Sequence, residues 1–215
     1  PKRIAVMERT VFASLADGVR SAAGAATQRS IALKTSPTLM FNPLAHTSGA
    51  FNVLMSVFEA RPIVLFEKFD VDQYRKALVR YRPKFAPLPP TAIKMLLDSD
   101  ATIDEFASVL AVRVGTAPLA VSVQQDFEER FKTPILTTYG ATEFMGVVTS
   151  WTLDDYRRFG AAKRGSVGRP GKGVQIRVVG KDTGVPVQHN EDGVLEAQLD
   201  RIGPDWARTT DLARI

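Results

Sequence analysis

Through residue 140 the chain alternates short β-favouring apolar runs with amphipathic helical stretches, and few folds accommodate that order. The runs predict buried strands at 38–41, 63–66, 85–88, 109–114 and 134–138. Helical spacing places Val11, Phe12, Leu15 and Val19 on an opening helix over 8–18, followed by a small, polar loop over 21–29. A second helix, capped by Ser48, carries Phe51, Leu54, Met55 and Phe58. A third, opened by Asp70 or Asp72, carries Tyr74, Ala77, Leu78 and Tyr81 on one face. A fourth is capped by Thr91, and a fifth spans 119–131. Strand, helix, strand in this order puts successive strands parallel, because a parallel pair needs a crossover and the crossovers are helices. The fold class is therefore α/β: a largely parallel sheet flanked by helices on both faces.

The pattern changes near residue 150. The stretch 151–163 is polar, and 165–173 is built from turn residues. Strands are then predicted at 174–179 and 194–199 with no helix between them, which implies antiparallel pairing. The expected organisation is an α/β body over 1–150, carrying the ligand pocket, and a β-rich subdomain attached to it over 151–215.

Composition narrows the class of partner. A length of 215 residues suffices for a sizeable core, and the formal charge of +5 favours anionic ligands. There is no cysteine, so disulfides, thiolate nucleophiles and cysteine zinc sites are excluded together, and the absence fits a reducing, cytoplasmic setting. No apolar run is long enough for a transmembrane segment. Arg75, Lys76, Arg80 and Arg82 lie largely off the apolar stripe of their helix. Without interleaved aromatic residues they are expected to be a solvated face, so no nucleic-acid partner is expected.

The most informative stretch is Thr137-Thr138-Tyr139-Gly140-Ala141-Thr142-Glu143. A β-favouring run followed by glycine predicts a strand that ends in a sharp turn, with Thr142 and Glu143 just past it, where open α/β sheets place ligands. A hydroxyl beside a carboxylate suits a polyanion with a divalent metal: the hydroxyl donates to a phosphoryl oxygen while the acid holds the cation. The bland alternative is a β-turn with a solvated glutamate. His46 lies between a strand end and a helix start, and base, acid, pocket wall and structural histidine all stay open. His189 lies in a polar turn and is expected to be exposed. Asp211 sits in the run Arg208-Thr209-Thr210-Asp211, placed either to accept ribose hydroxyls or to pair with Arg208 or Arg214. No Gly-x-Ser-x-Gly elbow and no Gly-x-x-x-x-Gly-Lys-Ser/Thr loop is present.

Taken in order, several segments resemble the adenylate-forming enzymes: acyl- and aryl-CoA synthetases, luciferase-like enzymes and adenylation domains. Asn42 to Gly49 is similar to Pro-Leu-Phe-His-x-x-Gly, Lys68-Phe69-Asp70 to Lys-Phe-Asp, and Pro87 to Pro90 to Val-Pro-Pro. Gly115 to Leu119 resembles Gly-Gly-Ala-Pro-Leu, and Tyr139 to Glu143 matches Tyr-Gly-x-Thr-Glu. Gly165 to Pro170 resembles Gly-Ser-Val-Gly-x-Pro, and Arg208 to Arg214 resembles Arg-Thr-Gly-Asp-Leu-Ala-Arg.

The resemblance implies a fragment of the large domain of an ATP-dependent ligase for a small carboxylic acid, fatty or aryl, with ATP, Mg²⁺ and CoA. Thr142 would contact the phosphate and Glu143 the metal. Gly115, Thr116, Ala117 and Pro118, with Thr138, Tyr139 and Gly140, would line the adenine slot, and Asp211 would bind the ribose. His46, Phe51, Phe144, Met145 and Gly146 would surround the acid. A carrier-protein thiol in place of CoA, and a non-catalytic nucleotide- or acyl-binding homologue, are the competing readings. Pro1-Lys2 resembles the end of the family's phosphate loop, and Ile215 stops before its small C-terminal domain, so the piece is expected to be inactive alone. Thr210 stands where glycine is usual, and its Cβ is expected to crowd the ribose or alter the backbone turn.

Overall fold

The computed structural model describes residues 6–23 and 33–215; Pro1 to Arg3 and most of the loop expected over 21–29 lie outside these. Helix α1, Glu8–Ala23, runs past Gly18 and takes in the start of that loop. Strand β1, Thr38–Met40, pairs in parallel with β2, Ile63–Leu65, and α2, Thr47–Phe58, crosses between them. Helix α3, Val71–Tyr81, leads to β3, Phe85–Pro87, and α4, Pro90–Leu97, leads towards β4, Ala111–Val114. After α5, Val121–Phe131, comes β5, Ile135–Ala141.

Three caps differ in instructive ways. Asp70 caps α3 as its residue type suggests, its Oδ1 accepting from the Gln73 N–H at 2.9 Å. Helix α2 is capped two residues earlier than expected, by His46 rather than Ser48. Helix α4 has no side-chain cap: Pro90 takes the first helical position, where a missing N–H costs nothing, and Thr91 lies inside.

Strands β3, β4 and β5 are parallel, as the alternation predicts. The sheet then changes sense: β6, Gly146–Ser150, runs antiparallel to β5, and β7, Arg169–Pro170, antiparallel to β6. Helix α6, Leu153–Phe159, forms within the polar stretch between them. The last three strands, β8 Val174–Val179, β9 Gly193–Leu199 and β10 Ala207–Ala213, make a separate antiparallel sheet in the order β10-β9-β8.

The main core lies between the parallel strands and helices α3 to α5. Leu78, Ile93, Leu96, Val112 and Ile135 are buried there with Phe106, Phe127 and Phe131, whose rings stack within 4.5–5.6 Å of one another. Each such phenyl contributes about 2–3 kcal/mol through burial. A second cluster joins Phe144 and Val148 to Val174, Ala197 and Leu199, and so seats the three-stranded sheet against the β5–β6 hairpin. Arg75 departs from the solvated face expected of it. Its guanidinium is mostly buried and bridges Glu105, at 3.0 Å, and Asp100. Among the described residues no helix is long and apolar enough to cross a membrane.

Candidate functional site at the outer end of strand β5

Strand β5 continues through Gly140 instead of ending there. Glycine is required at this position because a Cβ would sit 2.4 Å from the Gly146 carbonyl oxygen on β6. The reversal comes later, from a 3₁₀ turn at Thr142–Phe144 and a left-handed Met145, φ 44°. Thr142 and Glu143 thus lie just past the strand end, with Thr142 half-buried and Glu143 exposed.

Two other chain segments meet this end. The turn after β4 brings Gly115 against Thr138, where a Cβ on Gly115 would lie 2.7 Å from the Thr138 hydroxyl. That hydroxyl donates to the Val114 carbonyl at 3.3 Å. Thr116 beside it has φ 69°, an outlying conformation for a β-branched residue. From the other side, the start of α2 places the Thr47 hydroxyl 3.3 Å from that of Thr142. His46, exposed, turns its Nδ1 inward to accept from the Ser48 N–H at 3.3 Å, with the Ser48 hydroxyl at 2.8 Å. An accepting Nδ1 leaves the proton of the neutral ring on Nε2. Of the roles open to His46, helix cap is visible in the fold.

Asp211 reaches the same place from the other sheet. Between the pairs Arg208↔Glu196 and Leu212↔Val194, three residues of β10, Thr209 to Asp211, face only Leu195 of β9. This bulge is held by the Thr209 hydroxyl, which donates to the Leu195 carbonyl at 2.8 Å and accepts from the Asp211 N–H at 3.1 Å. A second bulge lies in β6, where the register with β5 shifts between Tyr139 and Gly140. Bulges re-aim side chains. Here the Tyr139 phenol donates to Asp211 Oδ2 at 2.5 Å. Burial, and then this hydrogen bond, push the phenol's pKa well above its ordinary value, so it stays a donor. Arg208 pairs with Glu196 and Arg214 with Asp192, so Asp211 is the partner of neither. Thr210 keeps a backbone outside the left-handed region, so its Cβ brings no left-handed strain to the bulge.

The other predicted residues divide. Phe51 is half-buried on α2, while Phe144 is sealed inside the cluster with Val174 and Leu199, and Met145 is largely buried. Gly146 starts β6 beside them. His189 is exposed, as its polar turn predicts. A cavity of about 430 Å³ between α4 and α5, lined by Lys94, Leu97, Asp98, Val123 and Asp126, shares no residue with the β5 end. Sequence reasoning assigned no role to Thr47 or Thr209, whose only signal is a hydroxyl one residue after His46 and two residues before Asp211.

Solved structures share this fold. The fold matches MatB from Rhodopseudomonas palustris bound to ATP, with a TM-score of 0.77 and 22% identity over 90% of this chain and 36% of that one. It also matches the o-succinylbenzoate CoA synthetase MenE from Bacillus subtilis in complex with its acyl-adenylate intermediate, with a TM-score of 0.80 and 19% identity over 99% of this chain and 43% of that one. These are adenylate-forming enzyme domains. Residues 1–198 match the AMP-binding enzyme family, and the chain belongs to it. Among curated relatives, the 4-coumarate–CoA ligase-like protein 5 of Oryza sativa subsp. japonica is 32% identical over 81% of this chain. A 2-succinylbenzoate–CoA ligase of Bacillus pumilus is 29% identical over 73%. In each case the aligned part is 31% of the relative, so the chain spans about a third of these ligases.

Proposed function

We propose that the protein carrying this chain activates a carboxylic acid with ATP and transfers the acyl group to CoA, and that the outer end of β5 is its nucleotide site. The observation carrying this reading is the Tyr139–Asp211 hydrogen bond, which ties the carboxylate of β10 to a residue three positions before Thr142 and four before Glu143. One AMP then spans the rim. Asp211 Oδ1, without a hydrogen-bond partner among the described residues, accepts from the ribose while Oδ2 stays with Tyr139. Gly115 to Pro118, with Thr138 and Gly140, face the base, and Thr142 donates to the α-phosphate.

The acid's carboxylate attacks the α-phosphorus, the bond to pyrophosphate breaks, and acyl-AMP forms. CoA thiolate then attacks the acyl carbonyl and AMP leaves. The work of the chain is positioning and charge stabilisation, with no side-chain nucleophile. Among the described residues no cluster of three or more acid or histidine ligands exists. A single carboxylate fits Mg²⁺, which binds through one or two acids, water and substrate phosphates. Glu143 would hold it, and the ion would offset charge on the phosphoryl oxygens. His46, Phe51, Met145 and Gly146 border the acid, and Phe144 backs them from the core. The division into a body over 1–150 and a β-rich part over 151–215, and a cytoplasmic setting, complete the proposal.

The test is carboxylate-dependent ATP–pyrophosphate exchange by the full-length protein across a panel of fatty and aryl acids. Exchange with one class of acid is expected, and Glu143→Gln should lower it about 100-fold with an unchanged circular dichroism spectrum. A folded, AMP-binding protein that exchanges with no acid would instead be a non-catalytic homologue.

A further inference from the structure

Arg201 lies in the turn after β9, and its side chain is only 5% exposed. Its Nε–H donates to the Phe144 carbonyl at 3.2 Å and its Nη2 to the Val147 carbonyl at 2.9 Å. These two carbonyls bracket Met145 and Gly146, the left-handed turn that follows Thr142 and Glu143. The guanidinium lies against that turn: a Cβ on Gly146 would be 3.6 Å from Nη2. Nη1 faces Asp17 of α1 at 3.4 Å, and the Arg201 carbonyl accepts at 3.3 Å from the hydroxyl of Thr10, two turns away on the same helix face. Burial lowers the guanidinium's pKa and Asp17 offsets this in part.

We infer that Arg201 is a positioning residue that fixes the Thr142–Glu143 turn by spanning the two carbonyls behind it, and so sets the magnesium affinity of the site. The inference rests on the nucleotide-site reading above. Its physical basis is the rigid fork of the guanidinium, which reaches two acceptors at once in fixed geometry; an ammonium is a point charge on a flexible stem. A turn built on φ 44° at Met145 stores strain and persists only when its surroundings over-determine it. Arg201 supplies that constraint from the turn that joins β9 to β10, so the metal-side carboxylate and the ribose-side Asp211 are referred to one sheet.

The experiment compares Arg201→Lys and Asp17→Asn with the unsubstituted full-length protein. Arg201→Lys keeps a cation beside Asp17 but cannot fork across both carbonyls, whereas Asp17→Asn leaves both carbonyl bonds in place. The readouts are the Mg²⁺ concentration giving half-maximal ATP–pyrophosphate exchange and the AMP affinity without metal. Arg201→Lys should raise the first at least five-fold and change the second less than two-fold, and Asp17→Asn should leave both within two-fold. An unchanged Mg²⁺ requirement in Arg201→Lys, or equal losses in both readouts, would overturn the inference while leaving the site reading intact. Absence of Mg²⁺-dependent exchange in the unsubstituted protein would overturn both.

Discussion

Strand β5 is two strands in one. Its inner half, Ile135 and Leu136, pairs in parallel with β4 and is sealed from solvent on both faces. Its outer half, Thr138 to Ala141, pairs antiparallel with β6 through a bulge and is half-exposed. The inner half has its polar needs met locally. Glu128 Oε1 accepts from the Ile135 N–H at 2.9 Å and from the Tyr156 hydroxyl at 2.6 Å, and Gln124 donates to the same hydroxyl at 2.8 Å. The outer half depends on distant segments: the β4 turn, the start of α2, and the bulge of β10. Packing defines the first half, and close backbone approach and unusual dihedrals define the second. Rigid support next to re-aimed, partly exposed side chains is what a ligand site needs.

Substitutions on the two halves should therefore fail differently. Leu136→Ala empties a buried position beside Ala111 and Trp151, and is expected to cost about 3 kcal/mol and roughly 10 °C in Tm. Its folded fraction should still bind AMP with near-native affinity. Gly140→Ala forces a methyl within 2.4 Å of the Gly146 carbonyl, at a cost of about 2 kcal/mol, and should abolish AMP binding as the hairpin opens. Calorimetry on both variants separates stability from binding; loss of both together at Leu136 would dissolve the distinction. Smallest in effect, Thr116→Gly should stabilise by about 1 kcal/mol, because it relieves a β-branched residue at φ 69°. A destabilised Thr116→Gly would mean that the threonine's contacts outweigh its strain.

The inner half was legible because burial writes itself into sequence. Apolar runs with helical spacing between them gave β1 to β5 and α2 to α5 within a few residues. The reversal of sheet direction after β5 was not legible, because Gly146 to Ser150 has the same composition whether it pairs parallel or antiparallel. The site was partly legible. The Tyr139–Glu143 and Asp211 motifs mark residues that the fold brings together, and Gly140 stands out in the sequence as a turn residue, whereas its role is close approach to β6. Arg201 left no trace, because its partners are backbone carbonyls, which every residue carries. His46 as a cap was equally hidden, since a histidine ring accepting from a backbone N–H two residues on is specified by the local turn and not by residue type.

The central claim is that Asp211 grips a ribose beside the Thr142–Glu143 turn, and the sugar hydroxyls test it directly. Titration calorimetry with AMP and with its 2′,3′-dideoxy analogue should show at least a ten-fold preference for AMP, about 1.4 kcal/mol. In Asp211→Asn that preference should vanish while the analogue binds as before. Equal binding of the two ligands by the unsubstituted protein, or a preference that survives Asp211→Asn, would contradict the account.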